Sequence, residues 1–309
     1  MDKKKSAGIR FIVWLAVAVF LTVMLIMGIS GFSFLGKEIS CGGFGMGYTY
    51  PNADKYEKGN FTLEEEISRL EVNWISGNVY LKVTDGDKVY AEETEVSDDD
   101  RKMRYLVENG KLTIQFQKSK RFMLSSSFSK DLTVYIPKKM AENMNLIDME
   151  TTSANMEIDS FFSKKIDFDT VSGSINIKNL ETEVLDVESV SGDVEGTEVK
   201  ADELKVEIVS GDTDMDGAFE KIDLEAVSGD LRVVSEIFPR NVDAETVSGK
   251  ITLDIPEGDG FTAKFDSVSG DFNTDFSISS KDGKKIYGNG GAEYSFDTVS
   301  GDVNVNRRK

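Results

Sequence analysis

Apolar and polar residues alternate along most of this chain in short bursts that restart at a nearly fixed interval, and each restart carries the tripeptide Val-Ser-Gly. The tripeptide occurs seven times, with its glycine at Gly173, Gly192, Gly211, Gly229, Gly249, Gly270 and Gly301, at spacings of 19, 19, 18, 20, 21 and 31 residues. A fixed period of this size marks an array of equivalent units, and the long last interval marks an insertion of about ten residues. Seven residues before the glycine stand Ile166, Leu185, Leu204, Ile222, Val242, Ala263 and Tyr294; five before stand Phe168, Val187, Val206, Leu224, Ala244, Phe265 and Phe296. Ile175, Val194, Leu231, Ile251, Phe272 and Val303 follow two residues after it. Alternation with period two on both sides of a glycine predicts two short strands, each with one buried face, meeting at a Ser-Gly corner. The glycine supplies a backbone angle that a side chain would forbid.

The same register predicts two further rungs, one around Ala154 with Ile147, Met149, Met156 and Ile158 inward, and one around Gly77 with Leu70, Val72, Val79 and Leu81 inward. Between them Tyr105 to Ile114 reads as a hairpin turning at Asn109-Gly110, and Asp131 to Ile136 as a strand stopped by Pro137. A single rung cannot enclose its apolar face, so rungs must stack and the ends of the stack need covering. The expected fold is all-β: a parallel β-solenoid over 138–309, with the polar Asn306 to Lys309 finishing its last rung, preceded by a short antiparallel section over 61–137.

Upstream the pattern changes. Phe11 to Ile29 carries no charge, and at 1.5 Å per residue this run reaches ~29 Å, the thickness of a hydrocarbon core. It is too long for a signal-peptide core and fits a small-x-small cleavage pattern poorly, which predicts an uncleaved transmembrane helix over 11–30. Lys3, Lys4, Lys5 and Arg10 precede it, so residues 1–10 are expected in the cytoplasm and the C-terminal domain outside the cell. Cys41 follows Glu38-Ile39-Ser40, a poor lipidation context, and reads as a lone thiol. Residues 31–60, rich in glycine, are expected to form a membrane-proximal linker.

An anchor followed by reiterated units such as Thr170-Val171-Ser172-Gly173 and Thr298-Val299-Ser300-Gly301-Asp302 resembles the bacterial putative-adhesin domain of membrane-anchored LiaG-like and YvlB-like proteins. The resemblance spans about residues 60 to 309. It implies a parallel β-solenoid on the cell envelope, associated with envelope stress, and supplies no catalytic residues.

Charge and composition narrow the chemistry. The chain has 309 residues, a net charge of −19 and no histidine. The acidic balance excludes nucleic acid as a partner, and the missing histidine excludes Ser-His-Asp and Cys-His machinery. From the Ala154 rung onward a carboxylate stands four residues before each corner: Glu150, Asp169, Glu188, Glu207, Glu225, Glu245, Asp266 and Asp297. Two residues earlier stand Asp148, Asp167, Asp186, Lys205, Asp223, Asp243, Lys264 and Ser295. By alternation both columns point outward. They form either a solvated face that keeps the stack soluble or a multivalent site for cations or basic polymers. Calcium is a conceivable occupant of such oxygen chemistry, and no cofactor or resident metal is otherwise expected. Asp193, Asp212, Asp230, Asp271 and Asp302, directly after the corners, are expected to accept backbone hydrogen bonds at the turn.

Uniform repetition suits a scaffold, whereas an enzyme needs one distinctive site. The expectation is therefore a non-enzymatic binding or scaffolding module of the cell envelope, its partners the membrane and an envelope polymer or envelope-stress membrane protein. The alternative is a carbohydrate-active enzyme, a polysaccharide lyase or hydrolase, on a β-helix.

Overall fold

In the computed structural model, residues 48–120 and 128–308 are described. The apolar run 11–29 and its basic flank lie outside them, and no helix among the described residues is long and apolar enough to cross a membrane. The described chain is all-β apart from a three-residue turn of helix at Ala53–Lys55 and a four-residue one at Lys138–Ala141.

The long strands Met144–Ser172, Ile175–Ser191, Val194–Ser210 and Thr213–Ser228 lie in parallel register, each one rung on from the last. Inward positions stack on their equivalents: Phe168 on Val187, Val187 on Val206, and Val206 on Leu224. Nearly all of the sequence-predicted inward residues are buried, as an alternating pattern with one enclosed face requires. Phe265 and Phe272 are only partly buried, because their rung is the outermost of the stack. Thr151, Thr170, Ser189, Thr246 and Thr298 are buried as well, three residues before the corners, and Thr151 donates to the Thr170 hydroxyl at 2.9 Å.

A second bend follows each of the early corners by six residues, at Ser160, Asn179 and Glu198, with φ of 67°, 48° and 56°. Beyond it Phe161, Leu180 and Val199 turn inward again, so a rung has a third strand segment besides the two expected from the pattern.

Rung order at the ends departs from sequence order. Asn241–Ser248, of the Gly249 rung, pairs with Ala292–Ser300, of the Gly301 rung, which pairs in turn with Phe261–Ser269, of the Gly270 rung. The last rung in sequence is thus inserted between its two predecessors, and the Gly270 rung is outermost. The expectation that Asn306 to Lys309 would finish the outer end is therefore corrected. The long final interval carries the return: Ile278–Lys281 and Lys284–Tyr287 form an antiparallel hairpin that pairs with the outermost rung.

The other end is built the same way. Arg69–Thr84 lies between Met144–Ser172 on one side and Lys111–Gln115 with Leu132–Pro137 on the other. Antiparallel strands then cover this end: Arg104–Glu108 on Lys111–Gln115, and Val89–Glu93 on Leu132–Pro137. The expected Asn109-Gly110 hairpin forms, with both residues at positive φ. Here Lys130 and Glu93 make a buried ion pair, with Lys130 4.7 Å from the Trp74 and Phe116 ring centres. Of the expected linker, residues 48–60 belong to the packed fold: Tyr48 is buried and its hydroxyl donates to Gln115 at 2.6 Å.

Candidate functional site: the carboxylate face

Parallel register turns a sequence column into a line in space. Asp169 lies opposite Glu188, Glu188 opposite Glu207, Glu207 opposite Glu225 and Glu225 opposite Glu245. The line then runs through Asp297 to Asp266, in the swapped order of the last rungs. At its other end Glu150 lies opposite Asn73, and Asn73 opposite Gln115, so the acids stop where the covering section begins. The column points outward as expected, yet most of it is only half exposed, because neighbours a strand spacing of ~4.8 Å away cover each side chain.

Crowding and partial burial raise the carboxyl pKa values. Desolvation, then the charges of Glu188, Asp148, Asp167 and Asp186, push Asp169 up to about 8. Desolvation followed by Glu207 does the same for Glu188, to about 8. Glu225 rises to about 7, again from desolvation and then Glu207 and Glu245. Glu207, Asp223, Asp243 and Glu245 shift upward too, desolvation leading in each. Lysines offset the repulsion locally: Lys165 sits 2.8 Å from Asp167, and Lys264 lies 2.9 Å from Asp266 and 3.8 Å from Asp297. One group, Asp148, Glu150 and Asp169, brings a carboxylate oxygen from each residue within 4.8 Å of the others. Calcium takes six to eight oxygens, so these three would supply part of a coordination shell.

The corner aspartates do accept backbone hydrogen bonds, but across rungs. Asp193 accepts the Asp212 amide at 3.0 Å, Asp212 the Asp230 amide at 2.8 Å, and Asp302 the Asp271 amide at 2.9 Å. They stitch successive corners together.

One component of the face lay unrecognised inside the repeat motif itself. The valines of Val-Ser-Gly, two residues before each corner, point outward: Val171, Val190, Val209, Val227, Val247 and Val299 are half-buried, and Val268 is 58% exposed. They form an apolar seam beside the carboxylate column, with the exposed serines and corner aspartates along its other edge. Their recurrence was the available signal. Near the outer end, a groove of about 380 Å³ is lined by Asp243, Lys264, Lys284 and Glu293 among others.

A parallel stack of repeat rungs with an outward line of carboxylates defines an all-β repeat protein. The chain belongs to the Toastrack DUF4097 family, whose profile matches residues 67–306, in agreement with the resemblance carried by the Val-Ser-Gly units. Among solved structures it is similar to a putative cell adhesion protein from Clostridium sporogenes, with 14% identity over 82% of this chain and 100% of that one, at a TM-score of 0.29. A putative lipid binding protein from Parabacteroides distasonis shares 13% identity over 81% and 97%, at a TM-score of 0.47. A putative adhesin from Bacteroides fragilis shares 13% identity over 81% and 98%, at a TM-score of 0.39. No curated protein matches the chain.

Proposed function

We propose that the chain is a membrane-anchored, extracytoplasmic binding and scaffolding module of the cell envelope, and that the carboxylate face is its recognition surface. The observation that carries this reading is the in-register line from Asp169 through Glu188, Glu207 and Glu225 to Glu245. Stacked acids held half-buried repel one another, and a multivalent cationic partner relieves that repulsion while gaining from many weak contacts at once. The apolar run 11–29 supplies the anchor.

The test is capture from envelope fractions by the full chain in lipid nanodiscs, with Glu188→Gln/Glu207→Gln/Glu225→Gln as the control. Basic polymers or proteins retained by the parent and lost by the triple variant support the reading. Identical retention by both removes the face from the function.

A second reading, the carbohydrate-active enzyme, attaches to the groove where Asp243 and Glu293 stand beside Lys264 and Lys284. Carboxylates in a cleft next to a cation suit cleavage of a polysaccharide. It requires new chain ends to be released from an envelope polysaccharide by the parent and not by Asp243→Asn.

A further inference from the structure

The seven valines of the repeat motif stand one per rung, between register-paired residues on either side. Six intervals at the strand spacing of ~4.8 Å make this seam ~29 Å long. Half-exposed valine on seven successive rungs is a contiguous apolar strip on an otherwise charged surface, and such strips mark contact sites. Its flanks are predominantly acidic, with Lys250 the one basic residue in the corner column. On one side, two residues away along each strand, runs the column from Asp169 to Asp266. On the other stand Asp193, Asp212, Asp230, Asp302 and Asp271, all exposed. In those corner aspartates, one carboxylate oxygen takes the amide of the next rung at Asp193, Asp212, Asp230 and Asp302, and the negative charge remains at the surface.

We propose that this seam is a docking site for a cationic amphipathic α-helix laid along the stack, its apolar stripe on the valines and its lysines or arginines on the two acidic margins. The proposal rests on the reading of the carboxylate face as a recognition surface and names the partner's chemistry. The dimensions agree. A helix of about 20 residues is ~30 Å long, the length of the seam. Its turns repeat every ~5.4 Å against rungs every ~4.8 Å, so one apolar residue per turn stays over the valines for most of that length. Two strand residues span ~6.7 Å and a helix with its side chains has a radius of ~5 to 6 Å. Flanking lysines therefore reach the carboxylates while their aliphatic stems lie on the valine margins. A second copy of this chain would bring acid against acid, so charge selects a basic partner.

The test measures binding of three probes to the full chain in phosphatidylcholine nanodiscs, with empty discs as the blank. The probes are a designed 20-residue helix with a leucine stripe flanked by lysines, a scrambled peptide of the same composition, and polylysine. The helix is expected to bind at least about tenfold more tightly than the scrambled peptide. Val190→Thr/Val209→Thr/Val227→Thr should remove that advantage. Threonine keeps the β-branched shape, thermal melts check folding, and Val209→Thr alone serves as a milder variant with a smaller loss. Glu188→Gln/Glu207→Gln/Glu225→Gln should weaken all three probes. Equal affinity for helix and scrambled peptide, or an advantage that survives the valine substitutions, overturns the docking proposal while leaving the acidic recognition surface in place. Failure of every cationic probe to bind overturns both.

Discussion

At Gly211 the backbone turns with φ of 134°, and a Cβ there would stand 2.4 Å from the Gly192 carbonyl oxygen. Two constraints meet: a conformation that L side chains rarely adopt, and the close stacking of one corner on the next. Gly211→Val should therefore lower stability by at least about 2 kcal/mol, through backbone strain plus overpacking. Glu207→Gln, which removes a like charge from an exposed position, should fall within about 0.5 kcal/mol of the parent or stabilise it. Chemical denaturation of the two variants checks the ranking, and the reverse order would contradict both assignments. The corner was legible because glycine at a strand junction has few other uses. The second bend at Ser160, Asn179 and Glu198 was not, because residues that differ from rung to rung leave no repeating letter to find.

At the scale of the strand, the half-burial of the outward acids has a consequence for pH. Asp169, Glu188 and Glu225 titrate in the folded chain near 8, 8 and 7, whereas in the unfolded chain they titrate near 4. Between those limits the folded state holds more protons, so stability falls as pH rises from about 4 to about 8 and levels off above. Melting temperature should be higher at pH 5.5 than at pH 8.5, and Asp169→Asn with Glu188→Gln should flatten the difference. A melting temperature that stays flat across this range would show that the column is fully hydrated, and one that climbs with pH would contradict the upward shifts. Millimolar calcium at pH 8 should raise the melting temperature more than sodium at equal ionic strength, through binding to the folded form alone. Glu150→Gln should reduce that gain, given the closeness of Asp148, Glu150 and Asp169; equal melts in both salts would leave only a solvated face. The identity and outward direction of the column could be read from alternation. Mutual repulsion follows from the strand spacing as well, but the partial burial does not, since period two says which way a side chain points and nothing about how closely adjacent rungs cover it.

For the molecule as a whole, both ends of the stack are closed by the same device. One rung sits out of sequence, between an outermost rung and the rest, and antiparallel strands complete the edge. Unpaired edges invite association with other chains; the hairpin covers Thr262 and Ala263 of the outermost rung, while the remainder of that rung pairs with the Gly301 rung alone. Parallel stacking and an antiparallel N-terminal cover were legible from periodicity, the Asn109-Gly110 turn and Pro137. Rung order was not, because equivalent repeats fit any neighbour and a 31-residue interval looks the same whether it loops out or doubles back. That order sets which residues meet along the acidic line, Glu245 beside Asp297 and Asp297 beside Asp266, and along the valine seam next to it. Cysteine cross-linking tests it directly, in a Cys41→Ser background that removes the only native thiol. Ser248 and Ser300 are register partners on adjacent rungs, at the ~4.8 Å spacing a disulfide accepts. Ser248 and Ser269 are two rungs apart, roughly 9.6 Å, beyond its reach. Ser248→Cys/Ser300→Cys should oxidise readily to an intramolecular disulfide while Ser248→Cys/Ser269→Cys stays reduced; rapid bridging of the second pair and not the first would contradict the inserted rung and the order of neighbours along the face.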